Sequence, residues 1–214
     1  MCDLFNHLQF AIEEERKRIA REIHDELGQQ LSLLRLELGL MEDQIPAAQK
    51  ELRKESHSLT KLIDASIRSV QKISSDLRPT LLDNLGIGAA VEWQTKEFQK
   101  RTKIICEVTI EPPEIKLDQE RTTALFRILQ EALTNIVRHA RATKVIVSLI
   151  LGDHAVTLRV QDNGIGITPQ HLTDARSFGL MGMRERIYPW GGNVEIHGEA
   201  GKGTEVMINI PIAQ

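Results

Sequence analysis

A helical hairpin followed by an α/β sandwich is the fold that this 214-residue sequence predicts. Three observations lead there. Apolar residues recur every three or four positions through the first third of the chain; a segment bearing proline and glycine follows near residue 80; strand-like runs then interleave with helical ones. Hydrophobic residues make up 41%, enough for a core, but aromatics are only 4%, so burial must rest on Leu, Ile and Val.

From Glu13 to about Ile45 the pattern is helical: Ile19, Ile23, Leu27, Leu31, Leu34, Leu38 and Met41 draw one apolar stripe. Pro46, in "IPAAQ", breaks it. A second helical pattern runs to about Leu77, with Leu52, Leu59, Ile63, Val70, Ile73 and Leu77 on its stripe. One hairpin cannot cover both stripes, so two copies are expected to associate as a four-helix bundle, a homodimer through residues 13–78. "LRPTLLDNLGIG" ends the second helix at Pro79 and supplies a linker over 79–88. Residues 89–100 read as a helix and "KIICEVTI" (103–110) as a strand. Asp118 caps a helix through about His139, with Leu125, Ile128, Leu129, Ala132, Leu133 and Ile136 turned inward. "KVIVSLIL" (144–151) and "AVTLRVQ" (155–161) are strands joined at Gly152–Asp153, and "NVEIHGE" and "TEVMINI" form a hairpin around "AGKG". Residues 89–214 thus predict a mixed sheet with helices on one face.

Composition excludes several classes. A net charge of −3 offers no general pull towards nucleic acid. Cys2 and Cys106 have neither disulfide density nor metal-ligand spacing and read as reduced thiols of a cytosolic protein. No apolar run approaches the roughly 18 residues that span a bilayer, and no signal peptide opens the chain, so no membrane contact is expected of this segment. A longer parent with a membrane segment ahead of Met1 is compatible with that reading.

Three glycine-bearing segments follow in order: "DNGIG" (162–166), "GLMGM" (179–183) and "GKGT" (201–204). None is a P-loop, and no G-x-G-x-x-G follows a strand. Upstream, in "LQEALTNIVRHA", Glu131, Asn135 and His139 are spaced i, i+4, i+8 and line one ridge beside the inward leucines. The amide oxygen of Asn135 is a hard ligand suited to Mg²⁺, which keeps several waters and takes other ligands from phosphates. Asp162, at a strand end, could accept from an exocyclic amine such as that of adenine. Gly164 and Gly166 let the backbone pass close to a base, and Gly179 and Gly182 open a helix whose free N–H groups can receive phosphate oxygens.

With these residues in hand, the sequence resembles two linked families. The three segments and the Asn135 helix look like the N, G1, G2 and last glycine boxes of the gyrase–Hsp90–histidine-kinase–MutL ATPases. "ERKRIAREIHDELGQQL" resembles the phosphoacceptor box of the histidine-kinase subfamily of nitrate, oxygen and membrane-fluidity sensors, with its H-D-x-x-x-Q motif complete as His24, Asp25 and Gln29. The resemblance covers about residues 13–212, in the family's order. It implies a Bergerat-type ATP-binding fold over 89–214 and a dimerisation and phosphoacceptor domain over 13–78. It makes 1–12 the remnant of a signalling linker and places the core in the cytoplasm of a parent anchored in the inner membrane. ATP and Mg²⁺ would be bound with Asn135 on the metal and Glu131 beside it, Arg138 and His139 near the phosphates, Asp162 on adenine, and Gly164, Gly166, Gly179, Gly182, Met183 and Thr204 shaping the site.

The resemblance also implies the reaction. ATP would phosphorylate His24, Asp25 would orient the ring and take its proton, and Gln29 would hold a water for dephosphorylating a response regulator. That regulator's receiver domain is the expected partner, usually joined to a helix-turn-helix output domain. At about 100° per residue, His24 falls on the shoulder of the apolar stripe, and Gly28 removes bulk one turn on. Two other readings fit the same motifs: a hydrolytic ATPase clamp of the same superfamily, and a degenerate kinase serving as a dimeric regulator-binding scaffold. Lys144 and Arg184 read as solvated charge, and Trp93 and Trp190 as packing. "YPWGG" departs from the family pattern, with Pro189 close to the end of the helix carrying the G2 box.

Overall fold

In a computed structural model the described residues are 2–46, 48–77, 82, 85–167 and 178–212; the side chains of 2–10, 24, 75–77 and 178 lie outside the description. The chain divides into two compact units, residues 3–80 and 81–214.

The first unit is a helical hairpin. Helix α1 (Cys2–Glu22) passes through a wide π turn (Ile23–Leu27) into α2 (Gly28–Gln44) without a break. Helicity thus begins eleven residues before the predicted start at Glu13. The predicted uniform α-helix needs a correction too, because the N–H of Gly28 bonds the carbonyl of Ile23, five residues back, and five residues occupy that turn. The break near Pro46 stands where expected: Ile45 turns extended, the Gln49 N–H bonds the Pro46 carbonyl, and Arg53 caps the Ile45 carbonyl at 2.8 Å. Helix α3 (Lys50–Leu77) then runs back along α2, tied across by Arg35 Nε to Asp64 at 3.0 Å.

The predicted stripe on the first helix divides in two. Leu31 and Leu38 are half-buried with Gly28 and Arg35, whereas Leu27, Leu34 and Met41, seven residues apart, are exposed. On α3, Leu52, Leu59 and Ile73 lie on a seven-residue series of their own and are also exposed. Among the described residues only Ala20, Ser56, Thr60 and Ser74 of this unit are buried. The helix end predicted at Pro79, and half of the predicted linker, lie outside the described residues.

The second unit is a two-layer sandwich. Helix α4 (Gly86–Thr102) starts three residues earlier than predicted and packs on β1 (Ile105–Glu111). Helix α5 (Gln119–Asn135) continues into a second π turn (Ile136–Ala140), followed by β2 (Lys144–Leu151) and β3 (Ala155–Asp162). Helix α6 (Phe178–Ile187), a 3₁₀ turn (Tyr188–Trp190), β4 (Asn193–Glu199) and β5 (Gly203–Pro211) complete it. The five strands are ordered β1-β2-β3-β5-β4, with β1 parallel to β2 and every other pair antiparallel. Alternation explains the one-sided cover: Val145, Val147 and Leu149 on β2 and Val156, Leu158 and Val160 on β3 face the helices and are buried. All six residues predicted to turn inward from α5 are buried against them.

Candidate functional site

Asp118 fixes where α5 begins: its carboxylate accepts the Arg121 N–H at 2.8 Å and pairs with the Arg121 guanidinium. Because the helix buries its apolar ridge, Glu131 and Asn135 are left half-buried on its flank. Arg138 and His139 follow in the π turn and are exposed. The Ile136 N–H is shared between the carbonyls of Ala132 and Leu133, and Arg141, in a left-handed conformation (φ 51°), stops the helix.

Asp162 ends β3 and is only 5% exposed. The Gly164 N–H donates to its carboxylate at 2.7 Å, and the Thr204 backbone amide bonds it as well. Burial outweighs these two donors and pushes the Asp162 carboxyl above the usual carboxylate range. A carboxylate so placed has an acceptor oxygen for a partner that brings its own donor, and its desolvation makes that bond strong.

The glycines around it allow close backbone approach. A Cβ on Gly164 would lie 2.0 Å from the Ala140 carbonyl oxygen, which accepts the Ile165 N–H at 2.8 Å. A Cβ on Gly203, whose φ is +90°, would lie 1.9 Å from the Asp162 carbonyl oxygen. Gly166 is half-buried beside the Glu199 carbonyl. In the first turn of α6 the Glu131 carboxylate fills the space a side chain on Gly179 would take, 2.2 Å from such a Cβ. Gly182 is half-buried, and Met183 is fully buried in the core rather than on an open surface. The structure therefore brings Glu131 and Gly179 together at one place, and Asp162, Gly164 and Thr204 at another.

Among the described residues no group of three His, Cys, Asp or Glu side chains could hold a metal ion by itself. Asn135, half-buried at the end of α5, offers one oxygen. That donor set fits Mg²⁺ arriving with a nucleotide, since phosphates and water would supply the other ligands.

In the hairpin, His24 and Asp25 sit within the first π turn and Gln29 two residues past its end. Asp25 and Gln29 are exposed; the side chain of His24, and with it the predicted shoulder position, lies outside the described residues. Beyond Gly28, a Cβ would meet nothing within 4 Å. Of the surface charges, Lys144 pairs with Glu107 at 2.8 Å and Arg184 is exposed.

Three participants escaped the sequence reading. Ala140 supplies the carbonyl against Gly164. Gly203 crosses the Asp162 backbone. Asn163 accepts the N–H groups of Thr143 and Lys144, each at 2.9 Å, and so ties the "DNG" turn to the start of β2. Asn163 and Gly203 left a trace, the first as a short amide beside glycine in "DNGIG" and the second as a glycine of "GKGT", but neither contact was readable.

Comparison with known proteins follows the same division. Residues 15–82 match the histidine kinase family model, and residues 120–214 match that of the histidine kinase-, DNA gyrase B- and HSP90-like ATPases. The chain is 34% identical over 202 residues to the oxygen sensor histidine kinase NreB of Staphylococcus carnosus, covering 94% of this chain and 58% of that protein. It is 32% identical to the sensor histidine kinase LiaS of Bacillus subtilis, covering 94% and 55%. The chain thus spans little more than half the length of these relatives. In fold it is similar to the histidine kinase domain of the blue-light activated kinase EL346 of Erythrobacter litoralis, with a TM-score of 0.53 and 17% identity over 86% of this chain and 94% of that one. With a matched histidine kinase region ahead of a matched histidine kinase-, DNA gyrase B- and HSP90-like ATPase region, in the order and over the residues where the motifs stand, the chain carries the two-domain arrangement of the sensor histidine kinases it is similar to.

Proposed function

We propose that this chain is the cytoplasmic catalytic core of a sensor histidine kinase, which transfers the γ-phosphoryl group of ATP to His24 and then to an aspartate of a response regulator. The observation that carries it is the buried Asp162 carboxylate, held by the Gly164 and Thr204 amides with an acceptor oxygen available for adenine. In this reading Glu131, Asn135, Arg138 and His139 serve the phosphate end, and Gly164, Gly166, Gly179, Gly182, Met183 and Thr204 shape the rest. Asn135 would hold Mg²⁺, which when bound neutralises phosphate charge.

A neutral imidazole nitrogen of His24 attacks the γ-phosphorus in line, the bond to the β-phosphate oxygen breaks, and ADP leaves. The proton on the ring nitrogen that does not attack passes to Asp25. The aspartate of a receiver domain then takes the phosphoryl group from His24, and Gln29 holds a water in line to remove it again from the regulator. The regulator, through a helix-turn-helix output domain, makes any contact with DNA; this chain makes none. Two copies pair through residues 13–78, the bundle supported by the exposed seven-residue series on α2 and α3. No described helix is long and apolar enough to cross a membrane; the parent protein would be held at the inner membrane by a segment outside this chain.

His24→Gln should abolish acid-labile, base-stable labelling from γ-labelled ATP while ATP affinity stays unchanged. Asn135→Ala in the same assay should lose Mg²⁺-dependent ATP binding. Labelling that survives in His24→Gln would move the phosphoacceptor elsewhere.

A further inference from the structure

Helix α6 packs along α5, and the pair is fastened at both ends. At one end the Glu131 carboxylate fills the space beside Gly179. At the other, the Arg121 guanidinium lies 5.3 Å over the ring of Trp190, within reach for a cation–π interaction. Trp190 closes the 3₁₀ turn that ends α6, and it is half-buried against the core. This turn is rigidly built: Gly191 turns left-handed (φ 64°), its N–H bonds the Tyr188 carbonyl at 3.0 Å, and the Gly192 N–H bonds the Ile187 carbonyl at 3.1 Å. Arg121 is fixed in turn by the Asp118 carboxylate that caps α5, and its buried Nε has no acceptor. That nitrogen makes no bond of its own, so its burial under neighbouring groups costs energy that the ion pair and the ring contact must offset.

The separation along each helix matches. Ten residues divide Arg121 from Glu131 on α5, about 15 Å of helix. The chain from Gly179 through Trp190 covers the same span in the opposite direction. If α6 slid along α5, both fastenings would fail together. We propose that Arg121 and Trp190 are positioning residues for the nucleotide: a clamp at the far end of the α5–α6 pair that sets the register in which Gly179 meets Glu131. The inference rests on the α/β half binding ATP as proposed above.

Titration of the full chain with Mg²⁺-ATP tests it, reading dissociation constant and stoichiometry separately. Trp190→Ala and Arg121→Ala should each weaken ATP about tenfold, with one site per chain retained. The double variant should be no weaker than the weaker single one, because both remove the same contact. Trp190→Phe keeps an aromatic face and should recover most of the affinity, and Arg121→Lys, which loses the planar stacking group, should fall between. Loss of fold alone would lower the stoichiometry and leave the dissociation constant of the remaining sites unchanged, and that result would overturn the clamp. Equal affinity in all variants would overturn it too. A wild-type chain that binds no ATP would instead sink the nucleotide reading, and the clamp with it.

Discussion

The hairpin and the sandwich solve the problem of burial in opposite ways. In the sandwich, Leu125, Ile128 and Leu129 of α5 meet Val147 and Leu158 of the sheet, and all are 0% exposed. In the hairpin, Leu34 and Leu59 are each 52% exposed, and the buried positions among the described residues are Ala20, Ser56, Thr60 and Ser74. Two helices touch along one line, so each covers only the narrow ridge facing the other; a sheet with helices laid on it encloses a volume. The hairpin's small residues permit close helix contact and leave its leucines for a second copy. One half encloses its own core; the other leaves exposed the leucine series through which we propose that two copies pair.

The largest effect should come from breaking that interface. Leu34→Asp combined with Leu59→Asp places charge on the exposed series and should weaken self-association about a thousandfold, read by sedimentation. Thermal unfolding of the α/β half should stay unchanged; a dimer that persists would place the interface elsewhere. The reverse substitution type sharpens the contrast. Leu129→Ala should cost the α/β half about 2–5 kcal/mol in denaturant unfolding, by transfer and cavity terms together, without changing association. Coupled losses in both assays would show that the halves do not stabilise separately.

The smallest effect concerns pH and only the α/β half. Burial raises the Asp162 carboxyl above its unfolded value, so the protonated form suits the fold. Its contribution to stability is therefore full below the ordinary carboxylate range and is lost as pH rises through the raised pKa. ATP binding moves the other way, because adenine's amine needs the ionised acceptor. Affinity should fall as pH drops through the raised pKa, at higher pH than an ordinary carboxylate would give. Asp162→Asn should flatten that dependence; an unchanged acid limb would assign it to another group.

Legibility followed the range of the interaction. "KVIVSLIL" and "NVEIHGE" matched their strands to the residue, since alternation is a local property of a half-buried strand. The Asp118 cap was equally readable, because donor and acceptor lie three residues apart. The π turns at Ile23–Leu27 and Ile136–Ala140 were not: one extra residue in a single turn leaves no repeat to detect, and each falls within a stretch that otherwise keeps helical spacing. Asp162 was found through its strand end and neighbouring glycines, whereas Gly203 needed a backbone 41 positions away to give it meaning.

By itself the sequence determined the two-part architecture, the faces of most helices and strands, and the chemical types gathered in its motifs. These are consequences of periodicity and of groups within one or two turns of each other. Only the tertiary structure decided that Asp162 is desolvated, that Glu131 stands against Gly179, and that Arg121 covers Trp190. Desolvation and close approach depend on what surrounds a group in space, and no pattern along the chain carries that information.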